Sequence, residues 1–312
     1  MNTTASTTHE WRFATDERPH LHLRSHRGDV RLSHDAGPGE VLVRLTSNAA
    51  FDPQQVETRT QGRDVYLTVP PIVDDNDQGF GLALQLGRLS WGIGSINRVD
   101  VEVHLSPDAD VEVNAEGGDI ISTGACGHVQ LQTGGGDIRI DRATTGPVIT
   151  RGGDIIVASL DQGELRTGGG DIRITRLGEG SIKTAGGDVR VDDLGSGRIE
   201  TGGGDVTVHR TGGDVTVQTG GGDVTLQDCG GDTAVRTGAG DVTVEASGHV
   251  EVKTGAGDIR ITVPRDIPVW QDLHSSFGEV RSRIAGRGEP AEGQEFIRVT
   301  ARTGTGDVVL QD

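Results

Sequence analysis

Aromatic side chains are scarce. There are five Phe, three Trp and one Tyr in 312 residues, too few for a core that draws its buried area from large rings. Cysteine is scarcer still, and Cys126 and Cys229 alone exclude a disulfide framework. Basic residues are outnumbered 47 to 29, for a formal net charge of −18. That balance excludes nucleic acid as a partner, because phosphate binding needs a basic face that releases counterions. No apolar run approaches the roughly 18 residues of a membrane helix. Residues 1–9 lack both the basic and the apolar regions of a secretory leader and read as a disordered tail. A cytoplasmic chain without a transmembrane segment is expected, with the cell surface as the alternative.

What the chain has instead is glycine, 50 residues of it. A glycine-rich, aromatic-poor composition suits either disorder or a fold of tight turns around a thin β-branched core, and periodicity decides for the latter. Gly-Asp pairs recur at Asp119, Asp137, Asp154, Asp171, Asp188, Asp205, Asp223, Asp241 and Asp258, always 17 or 18 residues apart. A fixed period of this kind signals stacked repeats. A second, weaker corner falls within each period, at His128, Pro147, Glu164, Ser181, Arg198, Asp214, Asp232 and His249. Each corner is followed by apolar-x-apolar, as in Ile138-Arg139-Ile140 and Val215-Thr216-Val217, the alternation of a half-buried strand. The two halves of a period vary in length while their sum holds, which a closed rung requires and a hairpin does not.

The expected fold is therefore all-β, a single-stranded β-solenoid (β-helix) with about 17–18 residues per rung and an N-terminal β cap. The cap and N-terminal β region span 10–115, regular rungs span 116–263, and irregular C-terminal rungs with a cap span 264–312. The last rung is expected at Thr303–Asp307. Stacking at about 4.8 Å turns equivalent positions into files. One is Thr133, Thr150, Thr167, Thr184, Thr201, Thr219, Thr237 and Thr254, whose hydroxyls can bond a corner amide or one another. The corner glycines are expected to supply positive φ and to let neighbouring rungs approach. Cys126 and Cys229 lie six rungs apart, about 29 Å at strand spacing, so both are expected to be reduced thiols.

Among candidate sites, the file Asp137, Asp154, Asp171, Asp188, Asp205, Asp223, Asp241 and Asp258 is the most suggestive. Oxygen-rich glycine turns suit Ca²⁺, the one cofactor considered. The competing reading is that each Asp accepts hydrogen bonds from amides of its own turn. Calcium-binding nonapeptide repeats space Asp differently from Gly and the following apolar residue, which favours the structural reading. An outward file of Arg139, Arg173, Arg190 and Arg260, with Thr207, Thr225 and Thr243, reads as a solvated face. Phe80, Leu82, Leu84, Leu86 and Trp91 could form a strand or an exposed apolar flap for a partner. His20 and His22 share one face of a strand at a spacing a metal could use. With no carboxylate pair at a defined spacing beside them, these two, with His26 and His34, read as exposed. No nucleophile elbow, phosphate loop or zinc signature is present.

The Thr-Gly-Gly-Gly-Asp-Val-x-Val repeats, the segment from Leu105 to Asn114 with its Ser-Pro-Asp-Ala-Asp-Val-Glu-Val core, and the elements Ser276–Val280 and Gly306–Val308 resemble a bacterial family. It is the "putative adhesin" family of β-strand-repeat proteins, a domain of unknown function, and the likeness spans roughly residues 20–312. The resemblance implies a non-enzymatic solenoid loosely tied to envelope-stress and surface proteins, with no catalytic residues to carry over. The expected function is a non-catalytic scaffold binding a protein, an envelope component or further copies of itself. The alternatives are a calcium-stabilised binding module and a β-helix carbohydrate-active enzyme.

Overall fold

The computed structural model describes residues 7–15, 18–49, 51–71, 98–284 and 296–312. Apart from one 3₁₀ turn at Pro53–Gln55, its regular elements are 24 strands, and the expected β-solenoid is what they form. The strand Ile172–Thr184 represents a rung. Ile172, Ile174, Leu177, Ile182 and Thr184 point inward and are buried, while Arg173, Arg176 and Lys183 are exposed. The corner Ala185–Asp188 then returns the chain one rung higher. Parallel pairing sets Ile172 on Val189, Leu177 on Leu194, Ile182 on Ile199 and Thr184 on Thr201. Inward files of Val, Ile and Leu thus run the length of the stack as one core, and burial of these files is the main driving force.

The strands differ from the expected two per rung. From Ile120 to Thr201 each runs unbroken through the weaker corner, because Gly146, Gly163, Gly180 and Gly197 stay in the ladder. Beyond Val206 the rungs do split, first into Val206–Thr211 and Val215–Thr219. There the corner is a full Gly-Gly-Asp that turns out of the ladder. This also corrects the weaker-corner file: Pro147, Glu164, Ser181 and Arg198 pair onward to Thr216, not to Asp214.

Both ends are interleaved rather than sequential. The rung His20–Ser25 with Val30–Ser33 is first in sequence but not first in the stack. It lies between the later rung Asp64–Val69 with Val99–Leu105 and the still later Asp110–Ala115 with Ile120–Thr133. Antiparallel strands cover that end: Thr7–Ala14 on Glu40–Ser47, Glu40–Ser47 on Val99–Leu105, and Glu57–Gln61 on Asp64–Val69. They form the N-terminal cap, and its first strand begins at Thr7, inside the segment read as a tail. At the other end Ile297–Thr305 and Val308–Gln311 slide between Val250–Ala256 with Ile259–Thr262 and the outermost rung, Val269–Ser275 with Val280–Ser282. The Thr303–Asp307 corner is therefore the penultimate one. The segment read as irregular closes the stack, with Phe277 85 % exposed on it.

Candidate functional site

The aspartate file is a continuous hydrogen-bonded ladder. Each aspartate N–H donates to Oδ1 of the aspartate one rung back: Asp137 to Asp119 at 2.9 Å, Asp154 to Asp137 at 2.9 Å, Asp171 to Asp154 at 2.8 Å. Asp188, Asp205, Asp223, Asp241 and Asp258 continue it at 2.8–2.9 Å. Its ends run beyond the regular repeat, through Asp29 to Asp100 and through Asp307 to the N–H of Glu279. The backbone reinforces each step, since Ile155 N–H donates to the carbonyl of Asp171 at 2.9 Å. The acceptor serves the neighbouring rung and not its own turn, which corrects the local-turn reading. Oδ2 faces outward, where Arg173 meets Asp171 at 2.8 Å and Arg31 meets Asp29 at 3.1 Å. Surface pairs of this kind are worth little singly, whereas the ladder is repeated on every rung.

The threonine file points inward and works the same joint. Thr167 Oγ1 donates to the carbonyl of Gly153 at 2.8 Å and accepts from Gly170 N–H at 3.2 Å. Thr150, Thr184 and Thr201 repeat this pattern. Close approach, more than conformation, dictates the glycine that precedes each Asp. A Cβ on Gly170 would sit 2.1 Å from the carbonyl oxygen of Gly153. Of the glycines that precede a ladder Asp, positive φ occurs at Gly28, Gly118, Gly240, Gly257 and Gly306 but not from Gly136 through Gly222. At this corner the expectation of positive φ therefore holds only towards the ends, while at the weaker corner Gly146 also meets it. The degenerate corner Ser275–Glu279 keeps the joint: Ser275 Oγ donates to the Gly306 carbonyl at 2.7 Å.

Phe80, Leu82, Leu84, Leu86 and Trp91 lie outside the described residues. Arg139, Arg173, Arg190 and Arg260 do share an outward file with Thr207, Thr225 and Thr243. Cys126 and Cys229 are buried free thiols, and burial pushes the Cys126 thiol up to about 11.

Two polar clusters were not legible in the sequence. The first surrounds the displaced N-terminal rung, where the outward face of His20–Ser25 meets strands 42 and 90 residues away. His20 Nδ1 lies 3.0 Å and His22 Nε2 3.3 Å from Asp64 Oδ1, and His22 Nδ1 lies 2.8 Å from Glu112 Oε2. Tyr66 stacks on His22 with ring centroids 4.5 Å apart. Neither histidine is exposed, with side-chain accessibilities of 22 % and 21 %. Burial lowers the pKa of His20, and neighbouring His22 lowers it further against the pull of Asp64. His34 is buried outright between the carbonyl of Ser106 and the hydroxyl of Ser122. Both observations correct the reading of exposed histidines. Beside this cluster the buried carboxylate of Asp110 accepts from His128 N–H and, at 2.8 and 2.9 Å, from Arg18. Burial alone would raise its pKa, but the His128 amide, Arg18 and Arg63 together hold it below the usual carboxylate value.

The second cluster lies on the outward face near the C-terminal end. It is an open cleft of about 650 Å³ whose lining includes His249, Trp270, Asp272, Arg298 and Arg302. The guanidinium of Arg298 sits 5.0 Å above the Trp270 ring, and Arg302 holds Asp272 at 2.8 Å.

A scan against protein families matches this chain to the Toastrack DUF4097 family over residues 19–311. The chain belongs to that family. No curated protein matches it. Similar solved structures include a "putative adhesin" from Parabacteroides merdae ATCC 43184, with 10 % identity, 98 % of this chain and 96 % of that one covered, and a TM-score of 0.34. Another is a "putative adhesin" from Bacteroides fragilis NCTC 9343, with 9 % identity, 98 % of both chains covered and a TM-score of 0.30. A "putative lipid binding protein" from Parabacteroides distasonis ATCC 8503 shares 10 % identity over 98 % of this chain and 96 % of that one, with a TM-score of 0.30. Among the described residues of this Toastrack protein, no helix is long and apolar enough to cross a membrane.

Proposed function

We propose that this Toastrack protein is a non-catalytic binding scaffold that presents an outward sheet face to an envelope or protein partner. The observation that supports this is where the polar side chains go. The Asp file and most of the Thr file are engaged in joining rungs, and so are not free to converge on a reacting atom. What remains for recognition is a rigid, repetitive face. An aromatic–arginine pairing, Trp270 with Arg298, sits in the 650 Å³ cleft. Aromatic and arginine anchors dominate the energetics of protein contacts. Asp272, a carboxylate of that cleft, is held by Arg302, an arrangement that suits positioning more than proton transfer.

Chemical cross-linking in an envelope fraction, followed by capture of the tag-free chain, tests this reading. The expected result is a saturable partner lost on Trp270→Ala together with Arg298→Ala. A strictly monomeric chain that captures nothing, or a capture indifferent to both substitutions, refutes it.

A further inference from the structure

The cluster at the displaced N-terminal rung gathers two imidazoles and two carboxylates within hydrogen-bond reach of one another. Among the described residues, the ligand atoms of His20, His22 and Glu112 lie within 4.8 Å of one another. Asp64 Oδ1 adds a fourth donor, 3.0 Å from His20 Nδ1 and 3.3 Å from His22 Nε2. Ligand bonds of 2.0–2.1 Å in a tetrahedron place neighbouring donor atoms about 3.3 Å apart. The two edges from Asp64 Oδ1 are close to that value, so this carboxylate oxygen already stands near tetrahedral spacing from each imidazole. Glu112 Oε2 meets the other nitrogen of His22, at 2.8 Å. A carboxylate on the far nitrogen fixes the tautomer of a ligating imidazole and raises its basicity.

Charge and enclosure agree with the geometry. Asp110, the neighbouring carboxylate, is neutralised by Arg18 and Arg63. Asp64 and Glu112 are left as the two negative charges beside the imidazoles. The four side chains are between 21 % and 40 % accessible, which leaves an entry path from solvent. Tyr66, stacked on His22, holds the ring in place from the adjoining strand. The sites rest on strands whose register is set by the core: His20 is level with Asp64, and His22 with Tyr66 and Glu112.

We propose that His20 Nδ1, His22 Nε2 and Asp64 Oδ1 form a binding site for a zinc-class divalent ion, with Glu112 orienting His22 and solvent completing the shell. Imidazole with carboxylate selects borderline ions such as Zn²⁺ and Co²⁺ over Ca²⁺. The site is separate from the cleft at Trp270 and from the aspartate ladder.

Titration calorimetry of tag-free, chelator-stripped protein with ZnCl₂ tests this. One equivalent is expected to bind, with at least a hundredfold loss of affinity on His20→Gln or His22→Gln. Glu112→Gln is expected to lose ten- to a hundredfold, the usual effect of an outer partner. His104→Gln, at a separate histidine–carboxylate pair, should leave the titration unchanged. Co²⁺ on the unsubstituted chain gives a second readout that needs no variant, namely the intense visible bands of a tetrahedral nitrogen–oxygen site. Absence of saturable zinc binding, absence of those bands, displacement by excess Ca²⁺, or a titration indifferent to both histidine substitutions overturns the proposal.

Discussion

The most demanding prediction concerns two adjacent glycines in one corner. Gly169 and Gly170 are chemically identical neighbours, yet their surroundings are opposite. A Cβ on Gly169 meets nothing within 4 Å, whereas one on Gly170 falls 2.1 Å from the Gly153 oxygen and 2.4 Å from its carbon. Ordinary contact begins near 3.4 Å, so Gly170→Ala must push the two rungs apart locally by about 1 Å or more. That displacement stretches Asp171 N–H to Asp154 at 2.8 Å, Ile155 N–H to Asp171 at 2.9 Å and Thr167 Oγ1 to Gly153 at 2.8 Å. Hydrogen bonds contribute about 0.5–1.5 kcal/mol each, more to a charged acceptor, and overpacking adds about 1–3 kcal/mol. Gly170→Ala should therefore destabilise by about 3–5 kcal/mol. Gly169→Ala, by restricting only the unfolded chain, should stabilise by about 0.4–1 kcal/mol. Paired denaturant melts read both values, and Gly203 with Gly204 provides a second copy of the contrast. If both alanines cost the same, inter-rung contact is not what selects these glycines, and the account of the corner fails.

Four further outcomes follow from the same joints. Thr184→Val should destabilise by about 1–3 kcal/mol, because a buried hydroxyl that both donates to Gly170 and accepts from Gly187 is removed without change of shape; equilibrium unfolding measures it. Asp110 has a native pKa below its unfolded one, so its contribution is present above the unfolded value and lost as pH falls through the native one. Asp110→Asn should accordingly lower stability at neutral pH and flatten the acid limb of a stability–pH profile. Cys126, raised to about 11, should resist thiol reagents in the native chain at mild alkaline pH, with both thiols reacting only on unfolding. Adding Ca²⁺ to chelator-stripped protein should leave its melting temperature unchanged, since the Asp corners are bridged by amides; a saturable rise would reinstate calcium at those corners.

The regular stack was legible because its cause is local and repeated. Alternation of Val or Ile with Arg or Thr sets which side chains face inward, and a Gly-Asp corner every 17 or 18 residues sets the rung. The Thr file and the two unpaired cysteines followed from the same period. The ladder role of the aspartates was half legible: their placement at turns was visible, but the acceptor's partner is one rung away. Its amide lies 17 or 18 residues along the chain, and nothing in the turn itself names it.

Only the tertiary structure decided the order of rungs at the two ends. Parallel strands can pair with any neighbour that matches in register and buries its inward face, so sequence order does not bind stacking order. The 28-residue reach from Glu279 to Asp307 and the 90-residue reach from Asp29 to Asp119 show how far a rung can be displaced while keeping the same clasp. That displacement brings His22 beside Glu112 and Asp64, which no spacing in the sequence reveals. What the sequence alone determined is the rung and its repeat, through local sterics and burial. What the fold alone decided is which rungs touch, because those contacts are long-range and are selected by the whole core.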